Sequence, residues 1–210
     1  AGTFTKSSYD ALPKGARVTR TRMVRKLKGD RVKSRLVVQD FNHGRPDHSD
    51  FYAATPSLVA LRILLTLASI RRCTCRLPQT AVIGEVSMAF PHASIGEDEV
   101  WITFPAEMDG MEITLEDGAT LVVEAGVPYQ LGRALYGYRK SPKYWQEFLT
   151  GKLVKKLGLT QSKLDPTFFY DVQRGVFLIV YVDDILLLAP ASVCTELQSL
   201  LSEDVSIRVE

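Results

Sequence analysis

The chain has 210 residues, of which 46% are hydrophobic and 24% are charged, and its formal net charge is +2. These values are ordinary for a globular protein, and they exclude a low-complexity or highly charged disordered chain. The length is sufficient for one large domain or two small ones with a sizeable core. The longest apolar runs are too short to cross a bilayer, so no membrane partner is expected.

Basic residues concentrate near the N-terminus. Residues 14–35, KGARVTRTRMVRKLKGDRVKSR, hold a dense series of Lys and Arg against one acid, Asp30. Alternation over residues 31–41 predicts a strand, which a turn at Lys28-Gly29-Asp30 joins to a preceding strand in a hairpin. This basic segment favours an anionic partner, nucleic acid or nucleotide rather than a membrane surface. A solvated strand face is the alternative.

The central part of the chain mixes helical and strand patterns. After a polar loop at residues 42–50, apolar residues at helical spacing predict a helix over residues 57–72 that begins at Ser57. Two strands and one excursion or long hairpin follow, at residues 81–90, 100–105 and 107–126.

The C-terminal part continues the same α+β order. A helix is predicted over residues 141–158, because Ser141 and Pro142 favour a helix start and Gly158 favours a helix end. Three strands and a final helix are then predicted, at residues 167–172, 176–182, 185–189 and 192–203.

The three cysteines indicate a reducing environment. Cys73, Cys75 and Cys194 are odd in number and lack the spacing of a disulfide framework, so an intracellular setting is expected. A zinc site at Cys73 and Cys75 is a weak alternative, because no second Cys or His pair follows at ligand spacing.

Two adjacent acids, Asp183 and Asp184, interrupt the apolar run FLIVYVDDILLLA at residues 177–189. Burial of an unpaired ionised carboxylate costs several kcal/mol, so the apolar flanks predict a hairpin with both aspartates at its tip. Hard oxygen ligands suit Mg²⁺, and two such ions about 3.5–4 Å apart support phosphoryl transfer. An ordinary turn with two solvated aspartates is the alternative, although such a turn normally contains Gly or Asn.

Seven segments stand out in order along the chain, namely KSRLV at 33–37, FYAATP at 51–56, LRILLTLA at 61–68, ALYGYRKSP at 134–142 with Trp145 beyond it, LDP at 164–166, FFY at 168–170 and YVDD at 181–184. Together they resemble the copia-type LTR-retrotransposon reverse transcriptases. The resemblance extends from about residue 15 to the C-terminus. It implies the RNA-dependent DNA polymerase domain of a retrotransposon Pol polyprotein.

The resemblance implies an α+β right-hand polymerase fold, with fingers and palm and a central antiparallel sheet backed by helices. Within residues 1–210, residues 14–56 and 100–142 would be fingers-like, and residues 57–99 and 143–210 would be palm-like. Thumb and RNase H regions are expected to be absent. The implied partners are an RNA or DNA template-primer, dNTPs and other Pol polyprotein segments. The implied location is intracellular, either cytoplasmic and particle-associated or nuclear.

The implied reaction is templated addition of dNTPs to a primer 3′-OH by a two-metal mechanism with Mg²⁺ or Mn²⁺. The resemblance assigns catalysis and metal binding to Glu85, Asp183 and Asp184, with Asp183 preferred as a direct ligand. It assigns substrate binding to six residues, Lys33, Arg35, Phe90, Tyr136, Gly137 and Arg139.

The six substrate residues have distinct implied roles. Lys33 and Arg35 would face the triphosphate or the template, and the choice between them stays open. Gly137 would allow the backbone to approach the nucleotide or template closely, with Tyr136 and Arg139 beside it. Phe90 stands where the family keeps an aromatic residue under the sugar, and such a ring would exclude a 2′-OH.

One position departs from the family pattern. Glu85 stands where the motif "DV..AFL.G" begins with aspartate, and Pro91 replaces leucine. The extra methylene moves the carboxylate, and a misplacement of about 1 Å can lower a rate about a hundredfold. Two hypotheses therefore stay open. The first is an active or weakened polymerase, and the second is a degenerate copy, an inactive remnant that still binds nucleic acid. An unrelated Mg²⁺-dependent hydrolase would leave the order of the other motifs unexplained.

Overall fold

The computed structural model describes most of the chain, namely residues 2–40, 51–74, 79–115 and 118–209, with backbone alone at 71–74 and 209. The chain divides into two compact units. The first unit is Ala1–Tyr52 with Phe90–Tyr144, and the second is Ala53–Ala89 with Trp145–Glu210. Residues 90–99 belong to the first unit. The predicted loop at 42–50 and Cys75 of the zinc alternative lie outside the described residues.

The first unit is built on a five-stranded sheet. Its strands, in spatial order, are β1 (Phe4–Lys6), β8 (Pro128–Leu131), β5 (Val100–Thr103), β2 (Val18–Lys28) and β3 (Arg31–Val38). The β2–β5 pair is parallel and the other pairs are antiparallel. Ile102 and Tyr129 are fully buried in this sheet. The short strands β1 and β8 were not predicted from the sequence.

The basic hairpin predicted near the N-terminus is confirmed. β2 and β3 pair from Thr21 opposite Val38 to Lys28 opposite Arg31, and Gly29 and Asp30 form the turn. Gly29 has a φ of +60°, which glycine adopts at little cost. The excursion at residues 107–126 contains a second short hairpin, in which β6 (Glu112–Thr114) pairs with β7 (Thr120–Val122).

The second unit is built on a six-stranded sheet in which all neighbouring strands are antiparallel. The spatial order is β13 (Ile207–Val209), β4 (Gln79–Val86), β12 (Asp184–Pro190), β11 (Val176–Tyr181), β10 (Phe168–Asp171) and β9 (Thr160–Gln161). The predicted strands around the aspartates are thus confirmed. The two short strands β9 and β13 were not predicted.

Helix α1 (Leu58–Thr74) packs on one face of this sheet. It begins where the sequence predicted, because the Ala60 amide donates to Ser57 Oγ at 3.0 Å and so satisfies a free N–H of the first turn. Ala60 and Leu64 form a buried cluster with three sheet residues, Phe177, Ile179 and Leu188.

Helix α3 (Ala191–Ser202) packs on the opposite face, where its Leu197 and Leu201 share a small apolar cavity with Leu178 and Ile185. The sheet is therefore covered by helices on both faces. Helix α2 (Ser141–Gly151) continues as a π-helical turn at Lys152–Lys156 and ends at Gly158, whose φ is +68°. The predicted helix over 141–158 and the predicted α+β class are both confirmed.

The helices of the described residues include none that combines the length and the apolar character needed to cross a membrane.

Candidate active site

The aspartate pair lies at a tight turn between two buried strands. Tyr181 pairs with Asp184, so the turn residues are Val182 and Asp183, and Asp184 is already the first residue of β12. The sequence had placed both aspartates at the tip. Val182 has a φ of +55°, which is unusual for a β-branched residue. Asp183 is half-buried and Asp184 is exposed.

Two hydrogen bonds hold this turn in place. The buried indole of Trp145 donates through Nε1 to the carbonyl oxygen of Val182 at 2.5 Å. The amide of Val86 donates to the carbonyl oxygen of Asp183 at 2.7 Å. Strain of about 1–3 kcal/mol at a non-glycine residue with positive φ persists only where surrounding contacts enforce it. Trp145 and β4 are those contacts.

Glu85 lies beside the aspartates in the same sheet. It is exposed near the end of β4 and is the direct cross-strand partner of Asp184. On its other side, Glu85 is the cross-strand partner of the exposed Arg208 of β13. Directly paired residues project from the same face of a sheet, so Arg208, Glu85 and Asp184 form one row. Sequence reasoning missed Arg208, because β13 was not predicted.

The donor chemistry of this row suits a divalent cation. Carboxylate oxygens are the ligands that Mg²⁺ and Mn²⁺ prefer, and paired strands bring the carboxylates of Glu85 and Asp184 to the same face. No three His, Cys, Asp or Glu side chains converge into a metal-binding set anywhere in the part of the chain that the structure describes. Glu85, Asp183 and Asp184 are of the ligand type that such a cation prefers and are adjacent along the strands, but their side chains do not converge in this structure.

Three of the predicted substrate residues stack in the first unit. The Arg35 guanidinium lies over the Tyr136 ring, with Cζ 4.9 Å from the ring centroid. The Tyr136 ring in turn contacts the Phe90 ring, with centroids 4.9 Å apart at an interplanar angle of 59°. Cation–π and tilted aromatic contacts of this kind fix the directions of all three side chains.

Gly137 is held closely against β3. Its φ is +83°, and a Cβ at this position would stand 2.2 Å from the carbonyl oxygen of Val38. The Val38 amide also donates to the carbonyl oxygen of Tyr136 at 2.8 Å. No side chain other than hydrogen fits here, because the Gly137 backbone lies directly against β3.

Arg139 and Lys33 have other neighbours in the first unit. The Arg139 guanidinium sits 3.9 Å from the centroid of the Phe51 ring, and the Arg139 amide donates to Asp40 Oδ2 at 3.2 Å. Lys33 is exposed on β3, directly opposite Lys26 and nearer to the hairpin turn than Arg35 is.

Asp98 is a further residue of interest that sequence reasoning missed. Its carboxylate accepts hydrogen bonds from Tyr138 Oη at 2.7 Å, from Lys140 Nζ at 3.0 Å and from Tyr144 Oη. Burial alone would raise the pKa of Asp98, but the hydrogen bonds from Tyr144, Tyr138 and Lys140 outweigh it and lower that pKa. No sequence motif links residue 98 to residues 138–144, so only the fold could reveal this cluster.

The predicted site residues thus fall into two groups. All six substrate residues belong to the first unit, and the three carboxylates belong to the second. Within the first unit, Arg35, Tyr136 and Phe90 are brought together. Within the second, Glu85 and Asp184 are directly paired and Asp183 is adjacent.

Comparison with known proteins places the chain in one family. Residues 6–204 match the family described as reverse transcriptase (RNA-dependent DNA polymerase). No curated protein matches significantly. Among solved structures 92 chains match, including telomerase from Candida albicans in complex with a TWJ fragment of telomeric RNA.

The telomerase match is 10% identical with a TM-score of 0.48, and it covers 99% of this chain. It covers 45% of the telomerase chain, so the present chain spans less than half the length of that protein. The family match includes nearly all of the 210 residues. The chain belongs to the reverse transcriptase (RNA-dependent DNA polymerase) family.

Proposed function

We propose that this chain catalyses RNA-directed DNA synthesis, the template-dependent addition of dNTPs to a primer 3′-OH. The observation that carries the proposal is the direct pairing of Glu85 with Asp184 beside the strained turn at Asp183, in a chain of the reverse transcriptase family. The ordered motifs from KSRLV to YVDD further support a copia-type retrotransposon enzyme.

In this proposal Glu85, Asp183 and Asp184 hold Mg²⁺ or Mn²⁺, with two ions expected. The bound metal would supply charge neutralisation at the transferred phosphate and a lowered pKa of the attacking hydroxyl. The chain's own contribution is to hold the carboxylates on one rigid edge. The bonds from Trp145 and Val86 to the turn carbonyls support that role, because they fix the backbone on either side of the Asp183 side chain.

The first unit would bind the incoming nucleotide and the template. The stacking of Arg35 on Tyr136 supports assigning Arg35 to the triphosphate, since its guanidinium lies over the ring that also contacts Phe90, the proposed sugar gate. Lys33, nearer to the hairpin turn, would contact the template backbone. Gly137 and Arg139 would shape the same pocket, Gly137 by allowing Tyr136 to lie close to β3.

The two units suggest a division of labour. We assign the first unit to fingers and the second to palm, with an RNA or DNA template-primer, dNTPs and other Pol polyprotein segments as partners. An intracellular location, cytoplasmic and particle-associated or nuclear, agrees with the reduced cysteines expected from the sequence.

Primer extension on an RNA template with Mg²⁺ or Mn²⁺ tests the proposal. The parent chain should synthesise DNA weakly, and Asp183→Asn should abolish synthesis. Glu85→Asp should raise the rate by up to about a hundredfold, because it removes the methylene that displaces the carboxylate by roughly 1 Å.

A matched control removes an acid elsewhere in the second unit. Glu203→Gln, at an exposed residue that pairs with Lys156, should leave synthesis unchanged. Synthesis that survives Asp183→Asn would show that the metal-site assignment is wrong. If neither the parent chain nor Glu85→Asp extends a primer that both bind, the chain is a binding remnant and the proposed function is overturned.

A further inference from the structure

The Asp98 carboxylate gathers three donors from one short stretch of chain. Tyr138, Lys140 and Tyr144 all donate to it, and the first two lie within the motif ALYGYRKSP. The rings of Tyr138 and Tyr144 are stacked with centroids 6.5 Å apart and an interplanar angle of 19°. The side chain of Asp98, which precedes β5 in the chain, therefore holds both the start of α2 and the segment that leads into α2.

The anchored segment is the one that carries the proposed nucleotide contacts. It forms a closed turn, because Ser141 Oγ donates to the carbonyl oxygen of Leu135 at 2.6 Å and the Tyr138 amide donates to that same oxygen at 3.2 Å. β3 holds one side of the turn, through Val38 and Gly137. Asp98 holds the other side, through Tyr138 and Lys140.

Asp98 is suited to this task only as a carboxylate. The two tyrosine hydroxyls donate to the same oxygen, Oδ2, and Lys140 approaches both oxygens. Charge-assisted hydrogen bonds of this kind are roughly twice as strong as neutral ones. Because the hydrogen bonds lower the pKa of Asp98, the anchor is present above the ordinary carboxyl pKa of 3.8 and is lost as the pH falls through the lowered value.

We propose that Asp98 is a positioning residue for dNTP binding, which acts by fixing the turn that presents Tyr136, Gly137 and Arg139 to the nucleotide. The inference rests on the proposed function. A fixed turn contributes to binding because the side chains need no ordering when the nucleotide arrives. Loss of the anchor therefore weakens dNTP binding in the ground state and leaves the carboxylate chemistry unchanged.

The test is Asp98→Asn in steady-state primer extension at varied dNTP concentration. We expect the KM for dNTP to rise about tenfold, between no effect and the roughly hundredfold cost of a 1 Å misplacement, with kcat within about twofold of the parent value. The dissociation constant for template-primer should not change. Asp109→Asn is the matched control, because the Asp109 carboxylate in the same unit accepts a backbone amide bond from Ala125, and the KM of this variant should equal that of the parent chain.

Tyr138→Phe is a milder variant that keeps the ring and removes one donor. It should raise the KM by a smaller factor, and it serves as the test if Asp98→Asn does not fold. A purely structural role would lower the melting temperature and the active fraction of either variant without changing KM. An unchanged KM in folded Asp98→Asn, or a fall in kcat alone, overturns the inference.

Failure of the proposed function looks different. A parent chain that makes no DNA contradicts the polymerase activity but not the role of Asp98. In that case equilibrium titration of the template-primer complex with dNTP, followed by intrinsic tryptophan fluorescence, decides the matter. Asp98→Asn should weaken dNTP binding about tenfold relative to the parent chain, on the same reasoning as for KM. Equal affinities of the two proteins overturn the inference.

Discussion

The β2–β3 and β11–β12 hairpins share a turn geometry but differ in the residue at the turn and in the burial of their strands. Each closes with two residues, and the first of these has a positive φ, +60° at Gly29 and +55° at Val182. The β2–β3 turn uses glycine, which adopts this conformation without strain. The β11–β12 turn uses valine, which does not.

The strands that flank the two turns explain the difference. In the distal part of β2–β3 both faces are exposed, whereas Val176–Ile179 of β11 are buried. An exposed two-stranded ribbon has little packing energy with which to enforce a strained turn. The β11–β12 hairpin is central in its sheet, and a buried tryptophan bonds its turn carbonyl.

Backbone strain is tolerated where the fold can enforce it and where a fixed geometry is useful. Val182 holds the backbone beside Asp183, whose side chain is proposed to bind metal. Gly29 closes a ribbon whose side chains, not its backbone, are proposed to contact nucleic acid.

The largest expected effect comes from removing what enforces the strain. Trp145→Phe deletes the donor to the Val182 carbonyl and leaves the ring buried. We expect primer extension to fall at least about tenfold, and the free energy of unfolding to fall by about 1–3 kcal/mol beyond the cost of the smaller ring. Chemical denaturation and single-turnover extension measure the two quantities.

Trp101→Phe is the control for this change. Trp101 is also buried, but its Nε1 has no hydrogen-bond partner among the described residues, so the substitution changes ring volume without removing a bond. Equal losses of unfolding free energy and of rate in the two variants would show that the Trp145 hydrogen bond does not enforce the turn.

The sequence was informative where patterns are long or chemically distinct. The run around Asp183 and Asp184, the basic hairpin and helices α1 and α2 have enough periodicity or charge to be recognised. The start of α1 at Ser57 was predicted because a capping serine after proline is a local signal.

Sequence-based prediction failed where a residue is positioned by contacts with residues far away in the chain. Among the described residues, those that bond the Asp98 side chain all lie forty or more positions away along the chain, and the nearest of them is Tyr138. Arg208 gained its place beside Glu85 through β13, a three-residue strand too short to show alternation. Val182 was not recognised as a turn residue, because propensity assigns such positions to Gly or Asn and tertiary contacts override it here.

Exchanging the turn residues should change stability in opposite directions. Val182→Gly removes strain of about 1–3 kcal/mol and adds a glycine entropy cost of about 0.5–1 kcal/mol, so we expect a gain near 1 kcal/mol. Gly29→Ala should cost about 1 kcal/mol, although no atom lies within 4 Å of the added Cβ. Thermal denaturation of both variants gives the signs.

The same pair of variants also separates the functions of the hairpins. Val182→Gly should slow primer extension, because the backbone beside Asp183 is less fixed, whereas Gly29→Ala should leave the rate of the chemical step unchanged. A faster Val182→Gly enzyme would mean that the strain hinders catalysis, and the contrast between the hairpins would then lose its functional meaning.

The smallest effect concerns the charges of the β2–β3 hairpin, which segregate by face. One face of the ladder carries six basic residues, Arg22, Lys26, Lys28, Arg31, Lys33 and Arg35. Arg25 projects from the other face and pairs with Glu107 at 2.6 Å. Like charges directly opposite each other, such as Lys26 and Lys33, destabilise a ladder, and a bound phosphate backbone would relieve that repulsion.

Neutralisation of one cation at a time tests this interpretation. Lys33→Gln should lower the slope of log affinity against log salt by about one, because one fewer counterion is released when template-primer binds. It should also stabilise the free protein by a few tenths of a kcal/mol, since the repulsion from Lys26 is gone. Arg25→Gln is the control and should leave the salt slope unchanged. Equal slopes for all three proteins would mean that this face is merely solvated.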